Sequence, residues 1–222
     1  MKCQRGQLYL ESWFDKDLPL TSLSVTVAGQ RFYLLQAKDW WSFSADVQKR
    51  WILKWLREWH KRDEGSALVA IDGADVRLPL ELLNEFTGTF ADRSGPNCFA
   101  ATAAMAVCRS SVQNLAQARD LIFSWLHQEP FFRLLKAHHY CEVSVYRGID
   151  DQRHVEPGDV LVWYTGDQVA RHAAFAVASD HVFQKHGQGF ENPWQILKIE
   201  KVWYNTHLET GGHVALFRMK RQ

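Results

Sequence analysis

Residues 94–107 read Ser-Gly-Pro-Asn-Cys-Phe-Ala-Ala-Thr-Ala-Ala-Met-Ala-Val, a stretch that has no charged residue and consists largely of small ones. Serine, glycine and proline break regular structure, and the small and apolar run after Asn97 predicts a helix that is buried on most sides. Small side chains allow a helix backbone to approach a sheet closely. Cys98 therefore falls in the first turn of a helix that we expect to pack against strands.

The position of Cys98 makes it the candidate nucleophile. A helix N-terminus presents unpaired N–H groups and a partial positive charge, and both stabilise a thiolate. The same N–H groups, together with the side chain of Asn97, can bind the oxyanion that forms when sulfur attacks a carbonyl. The competing interpretation is that Cys98 is a small apolar residue of a buried helix.

The chain after Pro157 changes character and becomes rich in strand-forming residues. Two helices are predicted before it, at about Val112–Leu126 and Pro130–His138. The predicted strands are Asp159–Tyr164, His172–Ala178, His181–Lys185, Ile196–Tyr204 and His213–Met219. Helices followed by strands predict an α+β fold with a mostly antiparallel sheet.

His172 is the candidate base, because it opens the apolar strand that continues through Ala173 to Ala178. A histidine within hydrogen-bonding reach of a thiol forms the pair that nucleophilic cysteine catalysis uses. The alternative is a histidine that caps the strand and has no catalytic function.

Three features together resemble the NlpC/P60 cysteine peptidases and related papain-like amidases. They are a cysteine at a helix start, the strand Pro-Gly-Asp-Val-Leu-Val-Trp at 157–163, and a histidine that opens a hairpin, and they span roughly Gly95 to Lys185. The resemblance implies a papain-like core, in which the helix bearing the nucleophile packs on the sheet, and cleavage of amides, often in cell-wall peptides. It also implies that Cys98 is the nucleophile, His172 the base and Gln184 the third catalytic residue. The sequence departs from the usual Asp-Cys-Ser-Gly motif, which is Asn97-Cys98-Phe99-Ala100 here, and from the more common histidine at the third position.

Hairpin geometry bears on the third residue, because side chains alternate between the two faces of a sheet. A three-residue loop at Val177–Ser179 places Gln184 directly opposite His172. A two-residue turn at Ser179-Asp180 instead favours Lys185 or His186, which remain alternatives.

The irregular stretch Gly88–Pro96 predicts a boundary between an N-terminal α/β extension, residues 1–88, and a catalytic domain, residues 89–222. The predicted elements of the extension, whose role the sequence does not indicate, are strands Leu8–Trp13, Ser22–Val27 and Arg31–Gln36 and a helix at Ala45–Arg62.

Composition excludes several classes of protein. Of the 222 residues 46% are hydrophobic and 23% charged, which rules out disorder as the main state, and a net charge of +1 argues against a dedicated nucleic-acid binder. No run of about 18 apolar residues predicts a membrane span, and the absence of a signal peptide predicts a chain that is cytoplasmic as synthesised, with delivery outside the cell by another route left open. Neither a cofactor nor a metal is expected: the cysteines lack a CxxC pair, no ligand pattern surrounds His138-His139 or His181 and His186, and no nucleotide-binding motif occurs.

The sequence therefore predicts a thiol-dependent amide hydrolase with Cys98 as nucleophile, His172 as base and a peptide or peptidoglycan-like substrate. An acyl or amide transferase using the same chemistry is one alternative. A non-catalytic binding protein on a decayed papain-like scaffold is the other.

Overall fold

The structure is a computed structural model that describes residues 7–10, 24–27, 29–35, 37–62, 78–92, 95–148, 155–189, 192–206 and 211–220. The chain divides into two compact units, Met1–Glu64 and Gly65–Gln222. Helices and a six-stranded antiparallel sheet place the larger unit in the α+β class, which confirms the predicted class. Across the described residues, no helix combines the length and the apolar character that crossing a membrane requires.

The smaller unit contains a three-stranded antiparallel sheet and two helices. Its elements are β1 (Gln7–Leu10), β2 (Ser24–Val27), β3 (Gln30–Leu35), α1 (Ala37–Ser42) and α2 (Ala45–Arg62), and the strand order is β1-β3-β2. Gly29 has φ +77° in the turn between β2 and β3, a conformation that costs glycine little. The predicted strand ends at 11–13, 22–23 and 36 lie outside the described residues.

The division between the units lies earlier in the chain than the boundary that the sequence suggests. Helix α3 (Leu80–Phe86) precedes the irregular stretch, yet its residues Leu82, Leu83 and Phe86 are buried in the main core of the larger unit. An amphipathic helix belongs to the unit whose core covers its apolar face. The glycines and proline at 88–96 therefore form a connection inside the larger unit.

The larger unit is built on one sheet with helices on its two faces. Its helices are α3, α4 (Cys98–Ser110), α5 (Leu115–Ile122), α6 (Gln128–Ala137) and α7 (Ile199–Thr206). Its strands are β4 (Tyr140–Tyr146), β5 (Val160–Tyr164), β6 (Ala170–Ala176), β7 (His181–Lys185), β8 (Trp194–Lys198) and β9 (His213–Met219), in the order β4-β9-β5-β6-β7-β8.

Alternation along the strands separates two hydrophobic clusters, which define two faces of the sheet. The α4 face carries Ala173, Phe175 and Phe183, which lie in one cluster with the buried residues of α4. The α7 face carries Leu161, Trp163, Ala174, Ala176 and Val182, which lie in the second cluster with Ile199 and Val202 of α7. Any residue of β5, β6 or β7 can be assigned to one of these faces by its position.

The Pro157-Gly158-Asp159 segment fixes the start of β5. Asp159 is buried and accepts two hydrogen bonds from Arg218 of β9, Nε to Oδ1 at 2.8 Å and Nη2 to Oδ2 at 2.7 Å. The carbonyl of Gly158 accepts hydrogen bonds from the guanidinium of Arg109 and, at 3.1 Å, from the hydroxyl of Tyr140. This segment therefore ties β5 to β9, to α4 and to β4.

Candidate active site

Cys98 is the first residue of α4, as the sequence predicts. The helix begins there because Asn97 has extended backbone angles, φ −131° and ψ 177°, and its side chain accepts a hydrogen bond from the N–H of Ala100 at 3.0 Å. All residues from Cys98 to Cys108 are buried.

The side chain of Asn97 also holds two segments of the chain together. Besides capping α4, its Nδ2 donates to the carbonyl of Leu126 at 2.8 Å, and its Oδ1 accepts from the N–H of the same residue at 3.4 Å. The amide therefore joins the helix start to the segment before α6. One of the two N–H groups on Nδ2 makes this bond to Leu126. The substrate-binding role expected of Asn97 stays a prediction.

The thiol of Cys98 lies against the middle of β6. Backbone N–H groups of Ala173, Phe99 and Cys98 itself donate to the sulfur, and each of these hydrogen bonds lowers the pKa of the thiol. Burial opposes them and prevails, so that the pKa is raised from 9.0 to about 11. The free protein at neutral pH therefore holds Cys98 as a neutral thiol.

His172 lies beside Ala173 in the chain, but its ring is on the other face of the sheet. Within β6, Ala173 belongs to the α4 face, so the neighbouring His172 belongs to the α7 face. Its partner across the ladder is Trp163, a member of the α7-face cluster, and the two ring centroids are 5.4 Å apart. Among the described residues no hydrogen bond joins the Cys98 thiol to the His172 ring, whose Nε2 is buried without a partner. The hydrogen-bonded pair predicted from the sequence is not formed in this structure.

Gln184 is joined to His172, as the third residue was expected to be. Both side chains are buried, with exposed fractions of 2% and 3%, and a hydrogen bond between them raises the pKa of the imidazole. Burial is the largest effect on this pKa and, with the nearby His186, outweighs the hydrogen bond and lowers the pKa from 6.5 to about 3. The imidazole is thus neutral at physiological pH.

The hairpin that carries these residues has the expected odd loop, but the loop is shifted by one residue. Phe175 pairs with Phe183 and Ala176 with Val182, so the loop is Ala178–Asp180 and not Val177–Ser179. Continued along the strands, this register sets His172 opposite His186, and the two rings are 5.8 Å apart. Gln184 therefore reaches His172 diagonally, and the predicted direct opposition of the two is wrong.

Lys185 and Trp163 are the residues whose contribution sequence reasoning missed. Lys185 was only an alternative third residue, yet it is fully buried on the α4 face and acts electrostatically on Cys98. Its signal in the sequence is a lysine two positions after Phe183 in an apolar strand. The sequence feature that points to Trp163 is the Pro-Gly-Asp strand. Side chains alternate between the two faces along this strand, so the face of Trp163 also fixes the face of its antiparallel partner, His172.

No cluster of three or more histidine, cysteine, aspartate or glutamate side chains suited to a metal is found within the described ranges. Comparison with known proteins found no matching family model, no similar curated protein and no similar solved structure.

Proposed function

We propose that this chain is a thiol-dependent amide hydrolase with a papain-like core, in which Cys98 is the nucleophile. The observation that carries the proposal is the set of three backbone N–H groups, from Cys98, Phe99 and Ala173, that surround the sulfur. Donors arranged around a reacting atom at a helix N-terminus stabilise negative charge as it develops there. Two elements that are distant in the chain supply them, since Ala173 lies on β6.

The reaction would proceed through an acyl-enzyme. The proton leaves the Cys98 thiol for the base as sulfur bonds to the amide carbonyl, and the protonated base then gives that proton to the leaving amine as the C–N bond breaks. Water attacks the thioester, the C–S bond breaks, and the carboxylic acid leaves while the thiol is regenerated. Because the thiol and the imidazole are both neutral at rest, proton transfer accompanies attack and does not precede it.

For His172 to serve as the base, its ring must reach the α4 face when substrate binds. The described ladder between β6 and β7 consists of Phe175–Phe183 and Ala176–Val182, although both strands extend further toward His172 and Lys185. The opening end of this hairpin is therefore free of ladder bonds between the two strands. On its other side β6 is paired with β5, where His172 lies opposite Trp163, so moving the ring to the α4 face also requires a change in that pairing.

The decisive test compares Cys98→Ala with Cys108→Ala, a second buried cysteine ten positions along the same helix. The resemblance to NlpC/P60 peptidases directs the first assays to peptidoglycan peptides, with release of a free amine as the readout. Cys98→Ala is expected to abolish the reaction and Cys108→Ala to retain most of it. Hydrolysis that survives Cys98→Ala at full rate would overturn the proposal.

Transfer and hydrolysis share this chemistry, and a competing amine separates them. An acyl transferase forms the new amide in preference to the free acid when an amine is supplied with the substrate. A hydrolase releases the acid at the same rate with or without the amine.

The separation of thiol and imidazole onto opposite faces favours a second candidate, a non-catalytic binding protein on this scaffold. Such a protein has no need of a charged thiol, and both groups are neutral here. It would bind peptidoglycan peptides with equal affinity in the native chain and in Cys98→Ala, and neither would release an amine.

A further inference from the structure

Lys185 is a charged side chain inside the sheet, on the side where the candidate nucleophile lies. It follows Phe183 by two positions on β7, and Phe183 belongs to the α4-face cluster. Its partner across the ladder is Trp194, a member of the same cluster. The exposed fraction of Lys185 is 0%, so its ammonium group is held within the protein.

The surroundings of this ammonium group accommodate a positive charge. Its Nζ donates to the carbonyl of Gly189 at 2.6 Å and lies 5.7 Å from the centroid of the Trp194 ring. A carbonyl oxygen and the face of an indole both interact favourably with a cation.

The register of the hairpin sets Lys185 beside Cys98. Continued past the recorded pair Phe175–Phe183, the same register sets Lys185 on the side of β7 that faces Ala173. The N–H of Ala173 is one of the donors to the Cys98 sulfur. Ala173 and Lys185 therefore share the face on which α4 packs, whereas His172, Gln184 and Trp163 occupy the other.

We propose that Lys185, and not His172, is the charged group that stabilises the thiolate of Cys98. The role of that thiolate in catalysis rests on the proposed function, but the stabilisation itself is a property of the folded protein. A positive charge on Lys185 lowers the pKa of Cys98. No residue of α4 from Cys98 to Cys108 is charged, and the β6 residue next to the sulfur is Ala173, so α4 and this part of β6 supply no competing charge.

The test is the rate at which iodoacetamide alkylates Cys98, measured at the same pH for every variant. The parent protein for all variants has its other cysteines replaced (Cys3→Ser, Cys108→Ala and Cys141→Ser). This rate follows the thiolate fraction. Lys185→Met removes the charge at similar size and is expected to reduce the rate about tenfold, corresponding to a pKa higher by about one pH unit. Lys185→Arg retains the charge and is expected to remain within about threefold of the parent.

Two further variants serve as controls. Lys198→Met removes an exposed lysine from the neighbouring strand β8, and His172→Asn removes the histidine; neither is expected to change the rate. An unchanged rate in Lys185→Met would overturn the proposal. A tenfold decrease in His172→Asn, measured with Lys185 intact, would overturn it equally, and this arm stands even where Lys185→Met does not fold.

Alkylation requires no turnover, so the result is independent of whether the protein is a hydrolase. If Cys98→Ala retains amide hydrolysis while Lys185→Met slows alkylation, the proposed function fails and the electrostatic pairing stands. If Cys98→Ala is inactive while Lys185→Met alkylates normally, the nucleophile stands and the pairing fails.

Discussion

The imidazole of His172 and the indole of Trp163 face each other across β5 and β6, with ring centroids 5.4 Å apart and planes inclined at 56°. This contact places the histidine among the apolar residues of the α7 face. Two consequences follow for its chemistry: the ring is kept neutral by burial, and it is kept apart from the thiol of Cys98.

His172 should make the protein sensitive to mild acid. Its pKa is about 3 in the folded protein against the ordinary value of 6.5, so between these values the unfolded chain binds a proton that the folded one does not. The stability contributed by the neutral ring is complete above pH 6.5 and is lost as the pH falls toward 3. From pH 7 to pH 5 the loss in the free energy of unfolding should be about 2 kcal/mol.

Urea titrations of the native chain and of His172→Asn at the two pH values check this prediction. The control is His213→Asn, which replaces a half-buried histidine on β9. The acid sensitivity should shrink by most of that amount in His172→Asn and persist in His213→Asn. Equal sensitivity in the native chain and His172→Asn would contradict the buried neutral ring.

An added methyl group at Gly158 should cost more than backbone strain alone. It has φ +93°, and a Cβ built on it would lie 1.9 Å from the guanidinium carbon of Arg109, so Arg109 would have to release the Gly158 carbonyl. Gly88, with φ +78° and no atom within 4 Å of such a Cβ, supplies a control that carries the backbone cost alone. Gly158→Ala should therefore lose about 2 kcal/mol more than Gly88→Ala in thermal unfolding. Similar losses in both variants would show that the Arg109 contact contributes nothing.

Asp159 should matter for stability although it takes no part in the proposed chemistry. Its carboxylate is 1% exposed and accepts two bonds from Arg218, so Asp159→Asn removes the buried charge and leaves the half-buried guanidinium with the exposed Glu156 as its carboxylate partner. We expect a loss of about 3 kcal/mol in the free energy of unfolding. Asp180→Asn, at an exposed carboxylate in the β6–β7 loop, should lose about 0.5 kcal/mol or less in the same chemical denaturation. Equal effects would mean that the Asp159–Arg218 pair is no more than a surface interaction.

The extent of the larger unit can be tested by truncation. Phe86 contacts Phe123 and Trp194, with ring centroids 5.4 Å apart in both pairs, so α3 supplies part of the core. A fragment of residues 65–222 should unfold cooperatively on heating. A fragment of residues 89–222 lacks α3 and should lose that transition or show it at a markedly lower temperature. Identical unfolding of the two fragments, followed by circular dichroism, would restore the boundary at residue 88.

Much of the candidate site could be predicted from the sequence, and the part that was predicted wrongly has a specific cause. A charge-free run of small residues after Asn97 correctly predicted the helix that begins at Cys98, and the strands that begin at His181 and His213 were also correct. The loop between β6 and β7 was placed one residue too early, which moved the residue opposite His172 from His186 to Gln184. The position of the loop depends on local backbone geometry, about which the pattern of residue types carries little information.

The remaining differences come from short segments in which two periods compete. Ile196–Tyr204 was predicted as a strand, but the strand ends at Lys198, and Ile199 and Val202 bury one side of α7 at helical spacing. Nine residues are too few to separate a period of two from one of 3.6 when a strand and a helix follow each other directly. β4 was missed for a related reason: Val143 and Val145 are exposed, so its pattern lacks the buried alternation of a typical strand.

The position of β9 constrains how a nascent chain acquires this architecture. β9 follows the other described strands of this sheet in the chain, yet it lies between β4 and β5 and holds Asp159 through Arg218. Until it arrives, β4 has no neighbour and the edge of β5 exposes unpaired backbone groups, the kind of surface that chaperones shield. Completion of the sheet therefore waits for β9, and substitutions in β9 should reduce the yield of folded protein more than their effect on equilibrium stability suggests.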